Sequence, residues 1–170
     1  MNKDSNIEFQ DVNSQNWKRF QQFTNKILKA QYPDSLFTDF DSQEHLMYIA
    51  KIAMVDDVPI AGMKGYSIIS SNKERNSRIL PTATYIETLV VDETYQGKGL
   101  GTMMLHIIEQ ESRECFIHNL LLHTPVNNTR TIRWYLSKGF RIQDTILGHY
   151  NSTELDSSHA SDAYLLQKTL

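Results

Sequence analysis

Residues 84–101 read TYIETLVVDETYQGKGLG, and this stretch decides the fold of the chain. An apolar strand enters a short polar loop, and a glycine-rich turn then opens an amphipathic helix. Such a turn presents backbone N–H groups, and the helix adds the positive end of its dipole. Together they form a socket for a pyrophosphate, so the first question is which phosphate ligand the loop fits.

Two common phosphate-binding loops do not fit this turn. A Walker loop needs Ser or Thr after its Gly-Lys pair, but here Gly99 follows, and Asp92 stands where the first glycine belongs. A dinucleotide fingerprint needs G-x-G-x-x-G. Here the third glycine comes one residue early, at Gly101, and Thr102 takes its place.

The pattern that remains, Gln96-x-x-Gly99-x-Gly101, resembles the acetyl-CoA loop of the GCN5-related N-acetyltransferase (GNAT) superfamily. The alternative is a glycine-rich turn that only begins a helix. The resemblance implies that the loop and the helix start bind the pyrophosphate of acetyl-CoA. The residues concerned are Gln96, Gly97, Lys98, Gly99, Leu100, Gly101 and Thr102.

Composition fits a single domain over residues 1–170, with residues 1–12 expected to be a loosely ordered segment. Hydrophobic residues make up 40% and charged residues 22%, which indicates a globular chain. The formal net charge of −3 gives no basic field for nucleic acid, and no apolar run is long enough to span a membrane. Cys115 is the only cysteine, and the first residues lack a signal-peptide core, so we expect a cytoplasmic location.

Apolar spacing predicts the order of helices and strands. The helical period of Trp17, Phe20 and Phe23 predicts a helix over residues 14–30, which ends before Pro33. Further helices are predicted at residues 36–41, from residue 100 onward, and at 128–138 with Gly139 as a C-terminal cap. Strands are predicted at residues 47–54, 60–70, 82–91, 119–123, 140–147 and 163–169, with polar loops at 71–80 and 150–162.

This order predicts an α/β fold in which an antiparallel meander precedes a strand–helix–strand unit. A right-handed crossover through the helix after residue 100 places the strands around Tyr85 and Leu121 side by side and parallel. We therefore expect the GNAT fold. It is a mixed, mostly antiparallel sheet with a splayed parallel pair at its centre and helices on both faces.

Tyr85 and His123 occupy corresponding places on these two strands. Transfer of an acyl group from a thioester to an amine needs a neutral amine, so a base must take a proton directly or through water. Histidine titrates near neutrality, and tyrosine can orient or relay a water. The alternative for His123 is a strand-end histidine with structural hydrogen bonds. Glu87 lies on the same strand face as Tyr85 and is a second candidate base.

Asn128 and Tyr135 share a helix face, because seven residues are close to two turns. In the superfamily, an N-x6-Y-x3-G-F stretch of this kind lies beside the cofactor thiol. The resemblance implies that Asn128 and Tyr135 bind acetyl-CoA and that Tyr135 is the acid for the departing thiolate. The alternative for Tyr135 is a core aromatic with a satisfied hydroxyl. The remaining histidines show no metal-ligand spacing, so we expect no metal.

Several segments together look like the NatE-type N-terminal acetyltransferase family. They are residues 85–89, 121–123, 134–140, 149–150 and 164–170. That family acetylates the α-amino group of proteins, notably those that keep methionine followed by an apolar residue. It can dock on a ribosome-bound acetyltransferase complex. The resemblance runs from Phe20 to the C-terminus and is strongest between Tyr85 and Phe140.

This resemblance implies roles for further residues. Tyr85 and His123 deprotonate the substrate amine through a water, with acetyl-CoA as the cosubstrate. Backbone groups of Leu89, Val90 and Val91 meet the pantetheine arm. Substrate contacts fall on Tyr32, Pro33, Asp34, Glu87, His123, His149 and Tyr150.

The substrate loop departs from the family pattern Phe-Pro-Val-x-Tyr, since residues 32–36 read YPDSL. Asp34 replaces an apolar wall, and Leu36 replaces a tyrosine that helps hold the peptide backbone. A dehydrated carboxylate is costly beside an apolar side chain, and it favours a protonated amine or a basic side chain instead. We therefore expect a weaker preference for Met-Leu starts than the family shows.

Two alternative functions stay open. One is a GNAT enzyme that acts on lysine or a small amine. N-terminal acetyltransferases tend to close the substrate groove with a loop between the last two strands, and residues 150–162 are long enough for that loop. The other is a non-catalytic subunit of an N-terminal acetyltransferase complex, where a degraded cofactor loop is expected. The expected partners are protein N-termini and a ribosome-associated complex, with neither nucleic acid nor membrane.

Overall fold

The computed structural model describes residues 6–42, 45–69, 81–150 and 161–170. Within them, one seven-stranded sheet carries three α-helices. Their bounds are β1 (Glu8–Asp11), α1 (Trp17–Leu28), β2 (Tyr48–Val55), β3 (Val58–Ile69), β4 (Pro81–Val91), α2 (Leu100–Glu114), β5 (Asn119–Pro125), α3 (Thr129–Ser137), β6 (Arg141–Ile146) and β7 (Ala163–Thr169). The predicted loop at 71–80 and most of the one at 150–162 lie outside the described residues.

Helix α1 is shorter than the predicted 14–30. Asn16 Oδ1 accepts a hydrogen bond from the Asn13 N–H at 2.8 Å, and this turn delays the helix until Trp17. The helix ends where Lys29 takes a left-handed conformation, with φ of 52°. Both ends are therefore decided by local hydrogen bonds and backbone geometry that hydrophobic spacing does not report.

Residues 36–41 do not form the predicted short helix. Asp34–Leu36 and Asp39–Asp41 are instead two separate 3₁₀ turns. Asp, Ser and Thr side chains compete with a helical backbone for its hydrogen bonds. Phe37, between the two turns, is buried against Phe20 with ring centroids 5.5 Å apart. The buried Phe37 side chain therefore separates the two 3₁₀ turns, and residues 36–41 do not form one continuous helix.

The N-terminal segment contains a strand that hydrophobic spacing does not predict. Strand β1 pairs antiparallel with β2, from Glu8 opposite Met54 to Asp11 opposite Lys51. Of the four residues in this strand, Phe9 packs against the core. An alternation of apolar and polar residues over only four positions is too short to predict a strand from the sequence. The expectation of loose order over residues 1–12 is corrected for residues 8–11, whereas residues 1–5 lie outside the described part.

The sheet opens at its centre. Its strand order is β1-β2-β3-β4-β5-β7-β6, and β4–β5 is the parallel pair. These two strands pair at two positions, Thr84 opposite Leu120 and Tyr85 opposite Leu121, whereas β5 and β7 pair at seven. From residue 86 onward β4 diverges from β5, and a cleft forms between them. The predicted mixed sheet with a splayed central pair is confirmed.

Different helices cover the two faces of the sheet. Along β2, Ile52 packs in a cluster with Phe20 of α1, whereas Ala53 packs in a cluster with Met104 of α2. Successive side chains of a strand point to opposite faces, so α1 and α2 lie on opposite faces. A Cβ on Gly62 would stand 2.5 Å from the Phe20 ring, so glycine permits this close contact. No helix in the described ranges is both long and apolar enough to cross a membrane.

Candidate active site

A cavity of about 160 Å³ occupies the cleft between β4 and β5. Residues 86–90 of β4 and 122–125 of β5 form its sides. The other residues that line it are Leu28, Tyr32, Asn128, Thr131, Tyr135 and Tyr150. Leu28 and Thr131 were not candidates from the sequence, because nothing in their local pattern distinguishes them from other helix residues. The cavity thus collects predicted cofactor and substrate residues from distant parts of the chain.

The two predicted catalytic residues meet beside the cavity. The Tyr85 hydroxyl and His123 Nδ1 are 2.9 Å apart. Burial, and after it the nearby His149, lowers the pKa of His123 to about 4. Burial raises the pKa of Tyr85 above its ordinary value, with smaller contributions from Tyr66 and Glu87. At neutral pH the pair is therefore a neutral imidazole beside a protonated phenol, and the imidazole can accept a proton.

The Tyr85–His123 pair lies in a row of rings. His149 stacks on His123 with centroids 4.0 Å apart, and Tyr150 meets His149 edge-on at 4.8 Å. On the other side, the Tyr66 ring lies 5.7 Å from that of Tyr85. The structure thus brings the predicted substrate residues His149 and Tyr150 to the pair. The described residues contain no group of three or more His, Cys, Asp or Glu that could hold a metal ion.

Glu87 lines the cavity, and a buried lysine holds its carboxylate. Lys64 is 1% exposed, and its ammonium lies 2.6 Å from Glu87 Oε2 and 2.8 Å from Asp39 Oδ2. Its third acceptor is the carbonyl oxygen of Leu36. An ammonium has three N–H donors, so all of them are used. The Tyr66 hydroxyl lies 3.5 Å from the second oxygen of Glu87. The sequence signal for this network is a lysine inside an otherwise buried apolar strand.

The glycine-rich loop meets α2 with open space around its backbone. Gly97 and Gly99 have φ of 75° and 86°, and a Cβ on either would meet no described heavy atom within 4 Å. Gly99 is the N-cap of α2. The Gln96 side chain donates to the Val91 carbonyl oxygen at 2.9 Å, which ties the loop to the end of β4. A phosphate group needs such space beside a helix N-terminus.

The other predicted loop residues divide between surface and core. Lys98 and Thr102 are exposed, whereas the side chain of Leu100, the first residue of α2, is buried in the core. Gly101 packs close to α3, since a Cβ there would stand 3.3 Å from the Trp134 ring. Leu100 and Gly101 can therefore meet a ligand only through their backbone.

The end of β4 offers backbone groups to the cleft. Leu89, Val90 and Val91 pair with β3 on one side. On the side that faces β5, strand pairing stops at Tyr85. The backbone of residues 89–91 is therefore without a strand partner on that side in the described sheet, and an extended ligand with amide groups could use it.

Asn128 and Tyr135 line the cavity from α3. The Asn128 side chain caps this helix by accepting a hydrogen bond from the Thr131 N–H at 3.3 Å. Tyr135 is buried, with its ring centroid 5.1 Å from that of Phe140. Burial raises the pKa of Tyr135, so its phenol stays protonated and can donate.

Of the predicted substrate loop, Tyr32 lines the cavity, but Pro33 and Asp34 do not. Both of those residues are exposed, and Asp34 Oδ1 accepts a hydrogen bond from Gln21 Nε2 at 2.7 Å. The 3₁₀ turn that begins at Asp34 directs the carboxylate toward α1. The structure therefore does not place Asp34 in the cavity wall.

The sequence that forms this fold and site also matches that of a known protein family. A sequence model of the Acetyltransferase (GNAT) family matches residues 13–140, which is most of the chain. The chain therefore belongs to the GNAT acetyltransferase family.

Particular relatives are similar over nearly the whole chain. "Probable N-acetyltransferase san" of Drosophila melanogaster is 29% identical over 167 residues, which cover 98% of this chain and 82% of that protein. "N-alpha-acetyltransferase 50" of Danio rerio is 28% identical, over 96% of this chain and 89% of that protein. The solved structure of Arabidopsis thaliana Naa50 in complex with the bisubstrate analogue CoA-Ac-MVNAL superposes with a TM-score of 0.75 at 22% identity, covering 96% of this chain and 99% of that one. This likeness shows the shared fold.

Proposed function

We propose that this chain transfers the acetyl group of acetyl-CoA to the α-amino group of a protein N-terminus. The observation that carries the proposal is the 2.9 Å contact between the Tyr85 hydroxyl and His123 Nδ1 where β4 and β5 part. This contact sets a neutral proton acceptor beside the cleft. The same β4 strand leads on to the glycine-rich loop at the start of α2.

Acetyl-CoA suits the groups that surround the cleft. Its pyrophosphate would lie at residues 96–102, where Gly97 and Gly99 leave space beside the start of α2. Its pantetheine amides would pair with the backbone of residues 89–91, which has no strand partner on the cleft side of the described sheet. Asn128 and Tyr135 would then stand near the thiol end.

The low pKa of His123 favours an α-amine over a lysine as the substrate. At pH 7.4 about a fifth to a third of free α-amines are neutral, against about 0.1% of lysine side chains. An imidazole with a pKa of about 4 is too weak a base to deprotonate a lysine ammonium before the attack. It can accept a proton, through a water, as the C–N bond forms and the amine nitrogen becomes acidic.

The proposed reaction is a direct attack of the amine on the thioester carbonyl carbon. The C–N bond forms, the C–S bond breaks, and the amine proton passes through a water to His123, with Tyr85 orienting that water. The coenzyme A thiolate leaves and takes a proton from the Tyr135 hydroxyl. Tyr135 then regains a proton from solvent and His123 releases the amine proton to solvent, so both residues return to their starting states. Tyr135 suits this role because it is protonated and lines the same cavity.

The relatives support the choice of substrate. The Danio rerio relative is named an N-alpha-acetyltransferase, and the Arabidopsis thaliana structure holds coenzyme A joined to a peptide. Tyr32, His149 and Tyr150 would contact the peptide, since they stand around the Tyr85–His123 pair or line the cavity. The resemblance to NatE-type enzymes extends the proposal to a cytoplasmic location and a ribosome-associated partner complex.

A GNAT enzyme acting on lysine or a small amine is the second candidate. One observation favours it, since the Glu87 carboxylate in the cavity offers an anion to a second amine. The non-catalytic alternative has less support, because the left-handed glycines and the Tyr–His contact are both present.

Acetyl transfer to matched peptides tests the proposal. One peptide has a free α-amine and no lysine, and the second is blocked at its N-terminus and carries one lysine. A polyamine is the third acceptor. We expect at least about a tenfold higher kcat/KM for the free α-amine. Equal or faster transfer to the lysine peptide or the polyamine would favour the second candidate. Absence of acetyl-CoA binding would support the non-catalytic subunit.

A further inference from the structure

The cavity has an uneven charge. Glu87 is the single residue with a formal charge at neutral pH among those that line the cavity in the described part of the chain. His123, in the same lining, stays neutral at pH 7 because burial lowers its pKa to about 4. The lining therefore presents a carboxylate and no cationic side chain to whatever enters.

The ammonium behind this carboxylate does not cancel its charge. Lys64 is shared between Glu87 and Asp39, at 2.6 Å and 2.8 Å, so the three groups together carry a net charge of −1. Lys64 is 1% exposed, whereas the Glu87 side chain is 20% exposed and lines the cavity. A charge in this setting is screened by salt less than one in open solvent.

The Glu87 carboxylate is also held in place with acceptor capacity to spare. One oxygen accepts from Lys64, and the other lies 3.5 Å from the Tyr66 hydroxyl. An ionised carboxylate has about four lone-pair sites, so these contacts leave room for a donor from a substrate. A fixed anion with free acceptor sites costs little reorganisation when a cation arrives.

We propose that Glu87 is a specificity-determining residue that selects peptides with a basic second residue, such as Met-Lys starts, over peptides with an acidic one. This inference rests on the proposed acetylation of protein N-termini. Glu87 lies two residues beyond Tyr85 in β4, where the register with β3 shifts. Both side chains lie beside Tyr66, whose ring centroid is 5.7 Å from that of Tyr85 and whose hydroxyl is 3.5 Å from a Glu87 oxygen. The reacting amine belongs at the Tyr85–His123 pair. The side chain of the next peptide residue can therefore reach Glu87.

Three peptides that differ only at their second residue, Met-Lys, Met-Leu and Met-Glu, test the inference. Turnover is measured with acetyl-CoA, and affinity is measured by calorimetry on the coenzyme A-bound protein. We expect Met-Lys to exceed Met-Glu about tenfold in kcat/KM and in affinity, with Met-Leu between them. The preference should weaken only modestly at high salt, because the Glu87 carboxylate is 20% exposed and is screened less than a surface charge.

Two variants and a matched control connect the preference to this carboxylate. Glu87→Gln keeps the side-chain size and removes the charge, so the Met-Lys preference should fall to within about twofold. Asp39→Asn removes one charge from the same network and lowers the preference even if Glu87→Gln fails to fold. Glu114→Gln removes an equal charge from the exposed end of α2 and should change nothing.

Equal binding of Met-Lys and Met-Glu by the wild-type protein would overturn the inference, as would an unchanged preference in folded Glu87→Gln. No binding of any of the three peptides would overturn it as well. Preferred binding of Met-Lys without any turnover would contradict the proposed function and leave the role of Glu87 supported.

Discussion

Replacing Gly99 by glutamate is expected to abolish acetyl-CoA binding while the chain stays folded. Gly99 has φ of 86°, and a Cβ there would meet no described heavy atom within 4 Å, so the folding cost is backbone strain alone. That strain is about 1–2 kcal/mol and lowers Tm by about 2–8 °C in a domain of this size. Repulsion from two phosphate charges, at about 1 kcal/mol each even in bulk water, weakens binding about 30-fold. Steric exclusion by the new side chain adds to this loss.

Calorimetry with acetyl-CoA and a thermal melt read the two effects separately. Gly139→Ala is the matched control for strain, because Gly139 has φ of 89° and its Cβ would make an ordinary 3.6 Å contact with Lys168. This control should lose a similar Tm and keep its affinity for acetyl-CoA. A folded Gly99→Glu protein that binds acetyl-CoA as tightly as the wild type would refute the pyrophosphate assignment.

Tyr85→Phe and His123→Ala should each lower turnover by about 10²–10⁴-fold with little change in acetyl-CoA affinity. Near wild-type turnover in both variants would show that the base is another residue, and Glu87 is the next candidate. The pKa of His123 is about 4 in the folded chain, against an ordinary 6.5 in the unfolded chain. Between pH 6.5 and pH 4 the unfolded chain therefore binds more protons, so the free energy of unfolding falls as the pH drops through this range. Thermal melts should show this loss in the wild type and less of it in His123→Gln. Asp34→Val should change peptide preference by less than about twofold, because the carboxylate is exposed and bonded to Gln21. A clear gain for Met-Leu starts would instead place Asp34 at the substrate.

The order of elements could be predicted because the second half of the chain has strong and uninterrupted patterns. Strand β7 is predicted at its observed bounds, and β4 differs by one residue. The elements that differ are those in which local hydrogen bonds or tertiary contacts override periodicity. The asparagines before α1 and the buried Phe37 between two 3₁₀ turns are examples. Strand β1 draws its pairing from β2, which is some forty residues away and invisible to a local pattern.

The contact between Tyr85 and His123 was within reach of the sequence because parallel pairing sets Tyr85 opposite Leu121, and His123 lies two residues further along β5 on the same face. The Lys64 network could not be predicted from the sequence, because its partners Asp39 and Glu87 come from different segments and meet only in the fold. The direction of the Asp34 side chain could not be predicted either. A family pattern assigns a residue to a position in the loop, but it does not show the hydrogen bond that turns this side chain toward Gln21. The cavity carboxylate therefore comes from Glu87.

The most direct test of the account is to locate the acetyl group on one peptide that carries both a free α-amine and an internal lysine. The peptide is incubated with the protein and acetyl-CoA at pH 7.4, and fragment mass spectrometry assigns the modified nitrogen. We expect one acetyl group on the N-terminal residue, and we expect its loss when His123→Ala replaces the wild type. An acetyl group on the lysine side chain, or none on either amine with acetyl-CoA bound, would contradict it.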